Sequence, residues 1–263
     1  MLRLVRRGDR HDPRDLTVSC RFEGDFEASF LEGRAEGLVP GEALKNLVYA
    51  TARSDGQGDI ECLGIALCGR LLSSVPRLTR ARVEIAEQRW SRLEVAGKAQ
   101  GQAFEEGSGE RRTTAVTSNG TQIAVVSGIE DLTLMRSSGF RGSAPHEDVT
   151  GVQDGVPRLL VGALDARWTY TSPDVTFGPY RQGIRASIVE TFAAHARLSV
   201  EHTLHAIADV SLASYPEIAD VSLSFQERPY RPVDLFRAGV ENPDELFLVL
   251  HEPLGIVEVT VER

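Results

Sequence analysis

The chain is poor in the features that would assign it to several large protein classes. It has three cysteines in 263 residues, an odd number that fits a reducing compartment better than a disulfide framework. Cys62 and Cys68 stand six apart on one predicted helix, about 9 Å of rise, too far for a bond; small core residues are the expected role. No run of about 18 apolar residues occurs, which excludes a conventional membrane-spanning helix. The N-terminal stretch MLRLVRRGDRHD is basic but lacks the apolar segment of a secretory signal. Positive charge is also in deficit: the net charge is −9, and both nucleic acid and anionic membrane reward clustered Lys and Arg. The glycine-rich stretches do not precede helices in a phosphate-loop pattern. His202 and His205 have helical spacing for a metal, but no third ligand is in view. The expected setting is therefore the cytoplasm, with neither nucleic acid nor membrane as partner.

What is present is a repeat. The segment VEHTLHAIADVSLASYPEIADVSLSFQERPY follows IECLGIALCGRLLSSVPRLTRARVEIAEQRW at a constant offset of 140 positions. Glu61 then pairs with Glu201, Leu72 with Leu212, Ser74 with Ser214, Pro76 with Pro216, Glu87 with Glu227 and Trp90 with Tyr230. Each copy reads as an amphipathic helix, a proline turn and a strand with period-two apolar positions. A long ungapped offset predicts tandem duplication of one α+β unit, with residues 1–136 as the first and 137–263 as the second.

In order, residues 15–30 predict a hairpin around Glu23-Gly24-Asp25. Helices follow over 42–53 and, capped by Asp59, to about 72. Residues 81–93 predict a strand and the polar, glycine-rich 101–112 a hairpin tip. Strands over 113–135 hinge at Asn119-Gly120, and 139–157 reads as loop. The second unit predicts a strand from 159, helices over 181–196 and 199–214, a strand over 219–230, and a last pair, LFLVL and GIVEVTVER, joined across 251–254. Each unit is thus strand, strand, helix, helix, strand, strand: antiparallel sheets with helices on one face. Such sheets leave edges and one face uncovered, and closure into a ring of copies resolves both.

The segment from Val125 to Phe140, VVSGIEDLTLMRSSGF, resembles the cofactor-independent urate oxidase (uricase) family, and so do Arg7–Val18, Phe22–Glu27, Lys45–Ala50, Ala81–Trp90 and Ser199–Leu204. The resemblance implies the tunnelling fold (T-fold), tandem β-β-α-α-β-β units that form barrels in a tetramer around a channel. It implies no cofactor, dioxygen as co-substrate of any oxidase reaction, and substrate residues at Phe140 (a stack for the ring), Arg158 (a clamp, aligned after one inserted residue) and Glu201, where the family has a Gln for the amide edge of urate.

The catalytic set departs from that pattern. The chain begins after the point where the family's Tyr-Gly-Lys would stand, Gly41 occupies the place of its Thr, and Glu227-Arg228-Pro229 the place of its Asn-Lys-His. Oxidation by dioxygen without a cofactor needs the substrate as an electron-rich anion, hence a positioned base and relay. A stacking ring and a guanidinium clamp are binding features. Gln offers one acceptor and a donor, whereas Glu offers two acceptors, matching two adjacent N–H groups as on guanine or pterin. His146, beside Glu147 and Asp148, is the candidate replacement base, with an ordinary polar loop as its alternative; Glu201 has pairing with Arg158 or solvent exposure as its own. Arg77, Arg80 and Arg82 read as a solvated face. Two functions stay open: a homo-oligomeric uricase-like protein that binds or oxidises a purine-like or pterin-like heterocycle, and a catalytically silent T-fold subunit beside a true uricase.

Overall fold

The computed structural model describes residues 1–35, 37–56, 58–137, 159–194, 199–228, 230–250 and 255–263. In chain order the elements are β1 (Leu2–Arg7), β2 (Arg10–Gly24), α1 (Glu27–Leu31), α2 (Gly41–Ser54), α3 (Ile60–Ser74), β3 (Leu78–Val95), β4 (Lys98–Ser118), β5 (Ile123–Arg136), β6 (Leu160–Tyr170), α4 (Phe177–Ala194), α5 (Val200–Ser214), β7 (Ile218–Glu227), β8 (Tyr230–Pro232), β9 (Phe247–Val249) and β10 (Gly255–Glu262). Contacts divide them into two compact units. The first holds Met1–Ile129, Trp168–Arg181 and Glu217–Ala219, and the second holds Glu130–Arg167, Gln182–Pro216 and Asp220–Arg263.

In the first unit β1, β2, β3 and β4 are successive neighbours, each pair antiparallel. Period-two alternation sends Ala81, Val83 and Ile85 of β3 and Val116 of β4 inward, all at most 2% exposed. Ile60, Leu63, Leu67 and Leu71 of α3 recur at helical spacing and are equally buried, so one helix face meets one sheet face. At about 1.5–3 kcal/mol per fully buried aliphatic side chain, this contact is the main favourable term of the unit. In the second unit Val221, Leu223 and Phe225 of β7 alternate inward, and Leu204, Ile207 and Ala208 of α5 are buried with them. There β10 pairs antiparallel with β7, Val257 opposite Phe225 and Val259 opposite Leu223.

The 140-residue offset reappears in the backbone. Helices α3 and α5 are 15 residues each, starting at Ile60 and Val200, and the strands after them start at Leu78 and Ile218. Both are preceded by an extended residue, Asp59 at ψ 154° and Ser199 at ψ 167°, and both are followed by one at φ −127°.

Three expectations are corrected, two of them for one reason. No hairpin forms at Glu23-Gly24-Asp25: β2 runs unbroken to Gly24, and the turn lies at Gly8 (φ +61°) and Asp9. A Cβ on Gly24 would stand 2.2 Å from the Arg77 carbonyl oxygen. Residues 101–112 are not a hairpin tip but the middle of β4, whose turn to β3 is Ala96-Gly97. A Cβ on Gly101 would stand 2.1 Å from the Asp9 carbonyl oxygen. Both glycines serve close backbone approach within a sheet, not chain reversal. The last two strands do not pair with each other, since β9 joins β8 and β10 joins β7. Asn119-Gly120 does form the turn between β4 and β5, with the Asn119 side-chain oxygen accepting the N–H of Thr121 at 3.0 Å and of Gln122 at 2.8 Å.

The fit of α3 against β4 is testable at one position. A Cβ on Gly64 would lie 2.7 Å from Cγ2 of Val116, a stiff side chain, whereas one on Gly69 of the same helix meets nothing within 4 Å. Gly64→Ala is expected to lose about 1–3 kcal/mol by overpacking, and Gly69→Ala to gain up to about 1 kcal/mol from helix propensity. Denaturant unfolding of the two variants decides it, and equal stability would refute the close fit.

Candidate functional site

Of the residues nominated from the sequence, Phe140 and Arg158 lie outside the described residues, as do His146, Glu147 and Asp148. Glu201 is placed: it is the second residue of α5, exposed, and without a hydrogen-bond or ion-pair partner among the described residues. Its helix is capped by Ser199, whose hydroxyl accepts the N–H of His202 at 3.3 Å. Inward neighbours Thr203 and Leu204 are buried and fix which face Glu201 presents.

His205 is committed to Asp209 at 3.0 Å, one turn further along α5. Among the described residues no group of three or more His, Cys, Asp or Glu could hold a metal. Gly41 opens α2 behind Pro40, with no side-chain cap. Arg228 is held by its backbone, which donates to Val161 O at 2.8 Å, and Pro229 lies outside the described residues. Arg80 and Arg82 are exposed and face Glu23 at 3.9 Å and Glu84 at 2.9 Å. Cys68 is buried, whereas Cys62 is exposed because it falls on the outward side of α3, a correction to its expected core role. A cleft in the first unit, about 880 Å³, is lined by Glu23, Arg80, Asn119, Tyr170 and Thr171 among others.

A second cluster was not foreseen. Glu61, the second residue of α3, is 0% exposed. Its two oxygens take different donors: the Ser127 hydroxyl donates to Oε1 and Arg112 Nη2 to Oε2. The same Nη2 reaches Asp59 Oδ1 at 3.0 Å, and Nη1 stands 3.8 Å from Glu87. Arg14 then holds Glu87 at 2.6 Å and donates to the carbonyls of Gly56 and Gly58 at 3.0 and 2.5 Å. Asp59, expected to cap α3 with its side chain, makes no such bond. Its carboxylate instead accepts the N–H of Gly178 at 3.0 Å, so it tethers the first turn of α4, where the helix dipole favours an anion.

Burial raises the Glu61 carboxyl above its ordinary range, against the opposing pull of Arg112 and Ser127. Burial also pushes the Tyr170 hydroxyl up to about 12. Tyr170 packs edge-on against Phe177 at 5.0 Å and against Tyr180 at 6.1 Å. Among the described residues the buried Tyr170 hydroxyl, Trp168 Nε1 and Arg112 Nε make no well-formed hydrogen bond, although Trp168 and Ser127 lie against the Tyr170 hydroxyl and oppose its rise. A carboxylate with both oxygens taken is no accessible base; the cluster holds elements in place. One signal could have found it: Arg112 shares strand parity with the buried Thr114, Val116 and Ser118, so its charge faces inward and requires a buried acid.

A family model described as Uricase matches residues 1–117 and 125–258. The uricase of Arthrobacter globiformis is 29% identical over 265 residues, covering 100% of this chain and 86% of that protein. The uricase of Dictyostelium discoideum is 28% identical over 243 residues, 91% of this chain and 84% of that one. The crystal structure of the Arthrobacter globiformis uricase superposes with a TM-score of 0.92 over 100% of this chain and 90% of that one. A Bacillus fastidious uricase, 20% identical, shows the same fold with a TM-score of 0.81.

The raised Glu61 carboxyl predicts a pH dependence. The folded state keeps this proton more readily than the unfolded chain. The stability it contributes is therefore complete below the ordinary carboxyl value of 4.5 and declines as pH rises through the elevated one. Glu61→Gln abolishes that decline. In urea unfolding between about pH 4 and pH 8, the difference between the two proteins should move toward the variant as pH rises. A difference that stays flat or moves the other way would show that Arg112 and Ser127 outweigh burial.

Proposed function

Because the chain belongs to the uricase family, we propose that it binds a planar purine-like or pterin-like heterocycle through Phe140, Arg158 and Glu201, and that ordinary urate oxidation is not its reaction. One observation carries this reading. Glu201 offers two carboxylate oxygens to solvent with no partner among the described residues, although its counterpart Glu61 is buried and fully engaged.

The missing chemistry lies inside the chain. Gly41 has no hydroxyl to pass a proton, and Glu227-Arg228-Pro229 supplies neither an amide for the oxygen site nor an imidazole for a relay. Stacking and ion-paired recognition need none of those groups. If the bound heterocycle is oxidised, dioxygen is the co-substrate and a base such as His146 must draw its proton. The two T-fold units, 1–136 and 137–263, and a homotetramer belong to the same proposal. No helix among the described residues is long and apolar enough to cross a membrane.

A second reading is favoured by the same substitutions, which fall in both units: the chain is a silent subunit, structural or regulatory, assembled with a true uricase. Aerobic urate consumption followed by ultraviolet absorbance, with hydrogen peroxide as second readout, tests both. Little or no turnover is expected. Turnover at the rate of an active relative assayed alongside would overturn the proposal. A thermal-shift panel of guanine, xanthine and pterin then separates the readings, since a silent subunit responds to none of them.

A further inference from the structure

We infer that the first unit carries an anion site on the sheet face turned away from α3, where Arg21, Arg80 and Arg82 take the phosphate group of a small phosphate monoester. The site is independent of Glu201 and of the heterocycle reading above.

Strand parity builds it. Ala81, Val83 and Ile85 of β3 are buried, so Arg80, Arg82 and Glu84 project from the opposite face. Register then sets Arg21 of β2 directly opposite Arg82, Thr117 of β4 on the other side of Arg82, and Glu23 opposite Arg80. Side chains paired in this way start about 4.5–5.5 Å apart, and two like charges so placed repel. Among the described residues Glu84 is the one carboxylate that meets both Arg21 and Arg82. Its Oε1 accepts from Arg82 Nε at 3.0 Å, and its Oε2 stands 3.6 Å from Arg21. Glu23 comes no closer to Arg80 than 3.9 Å. Three guanidiniums thus share two carboxylates, a local excess of positive charge in a chain whose net charge is −9.

The donors are in place and unused. A guanidinium carries five N–H groups, yet among the described residues Arg21 and Arg80 donate no hydrogen bond, and neither does the Thr117 hydroxyl. With Arg82, Phe22 and Glu23 they line a cleft of about 280 Å³. The planar fork of Arg matches both carboxylate and phosphate oxygens. A carboxylate has two oxygens, whereas a phosphate monoester has three terminal ones and up to two charges, enough for Arg21, Arg80 and Arg82 together. The cleft of about 880 Å³ shares Glu23, Arg80 and Thr117 with the smaller one. Its Thr79, Gln122 and Thr171 stand beside Ile123 and Pro173, walls that suit a short hydroxyl-bearing body attached to the phosphate.

Thermal unfolding of the full chain tests the site, with sodium phosphate and ribose 5-phosphate as probes and sodium chloride at equal ionic strength as control. Either phosphate should raise the melting temperature saturably by about 2 °C or more. Chloride should not, since it screens the repulsion without bridging the arginines. Arg21→Gln and Arg82→Gln, both at exposed positions, should each lose at least half of the rise. Glu84→Gln frees both guanidiniums and should reach the same rise at a lower phosphate concentration. Ribose 5-phosphate should act at about tenfold lower concentration than inorganic phosphate, because the larger cleft holds its body. A chloride response equal to that of phosphate, or a phosphate response unchanged in both arginine variants, overturns the site. So does a Glu84→Gln variant that responds more weakly than the wild type. Equal potency of the two probes overturns the monoester and leaves an inorganic anion. No phosphate response, with self-association that Arg82→Gln abolishes, overturns the site in favour of an acidic face on a second copy.

Discussion

A positive charge buried beneath the first turn of a helix constrains most of the first unit. Arg112 is 7% exposed on an inward strand position, and a guanidinium there is tolerable only where carboxylates surround it. Glu61, Asp59 and Glu87 do so, and each comes from a different place: the start of α3, the residue before it, and β3. Asp59 adds the first turn of α4 through Gly178. Satisfying one charge therefore ties the start of α3, a residue of β3 and the first turn of α4 together. The net stability of such a pair is modest, but removing one member leaves an uncompensated ion and costs about 3–5 kcal/mol. The cluster acts as a geometric lock more than as a source of stability.

Among the described residues, the lock is found at one of two related places. The helices beginning at Ile60 and Val200 match in length, entry and exit, yet Glu61 is sealed and Glu201 is open. Duplication permits this divergence, since one copy can become structural while the other keeps an accessible group. The capping residues show the same division. Ser199 caps its own helix through its hydroxyl, whereas Asp59 leaves that role and ties together elements distant in sequence.

What the sequence revealed and what it concealed follow from the range of the forces involved. Periodicity located the long helices and the strands β3, β5, β6 and β7, because amphipathic faces are written in local spacing, and the repeat offset survived to the residue. Glycines misled at Gly24 and Gly101, because the absence of a Cβ serves equally for turning a chain and for admitting another backbone. Here the second use applied, and the partners, Arg77 and Asp9, are far away in the chain. The Arg112 cluster was hidden for a similar reason: its members span Arg14 to Ser127, and only strand parity hinted that one arginine faces inward. Glu201 was nominated through the resemblance to the family's Gln, and the repeat paired it with Glu61 without revealing that Glu61 is buried.

What remains on the family scaffold limits the chemistry open to it. Under the proposed reading, a stacking ring at Phe140 and a clamp at Arg158 would confer affinity for any flat, electron-rich heterocycle, and selectivity would come from the edge contacts. A Gln at position 201 would offer one acceptor and one donor, whereas the Glu present offers two acceptors. Losing the groups that move protons and changing the group that reads the edge are separable events, and the chain carries both. A relay-deficient protein that still recognised urate would keep the Gln, and an active oxidase with a new substrate would keep the relay. Both changes are what the proposed reading, a uricase-family protein for a different heterocycle, requires.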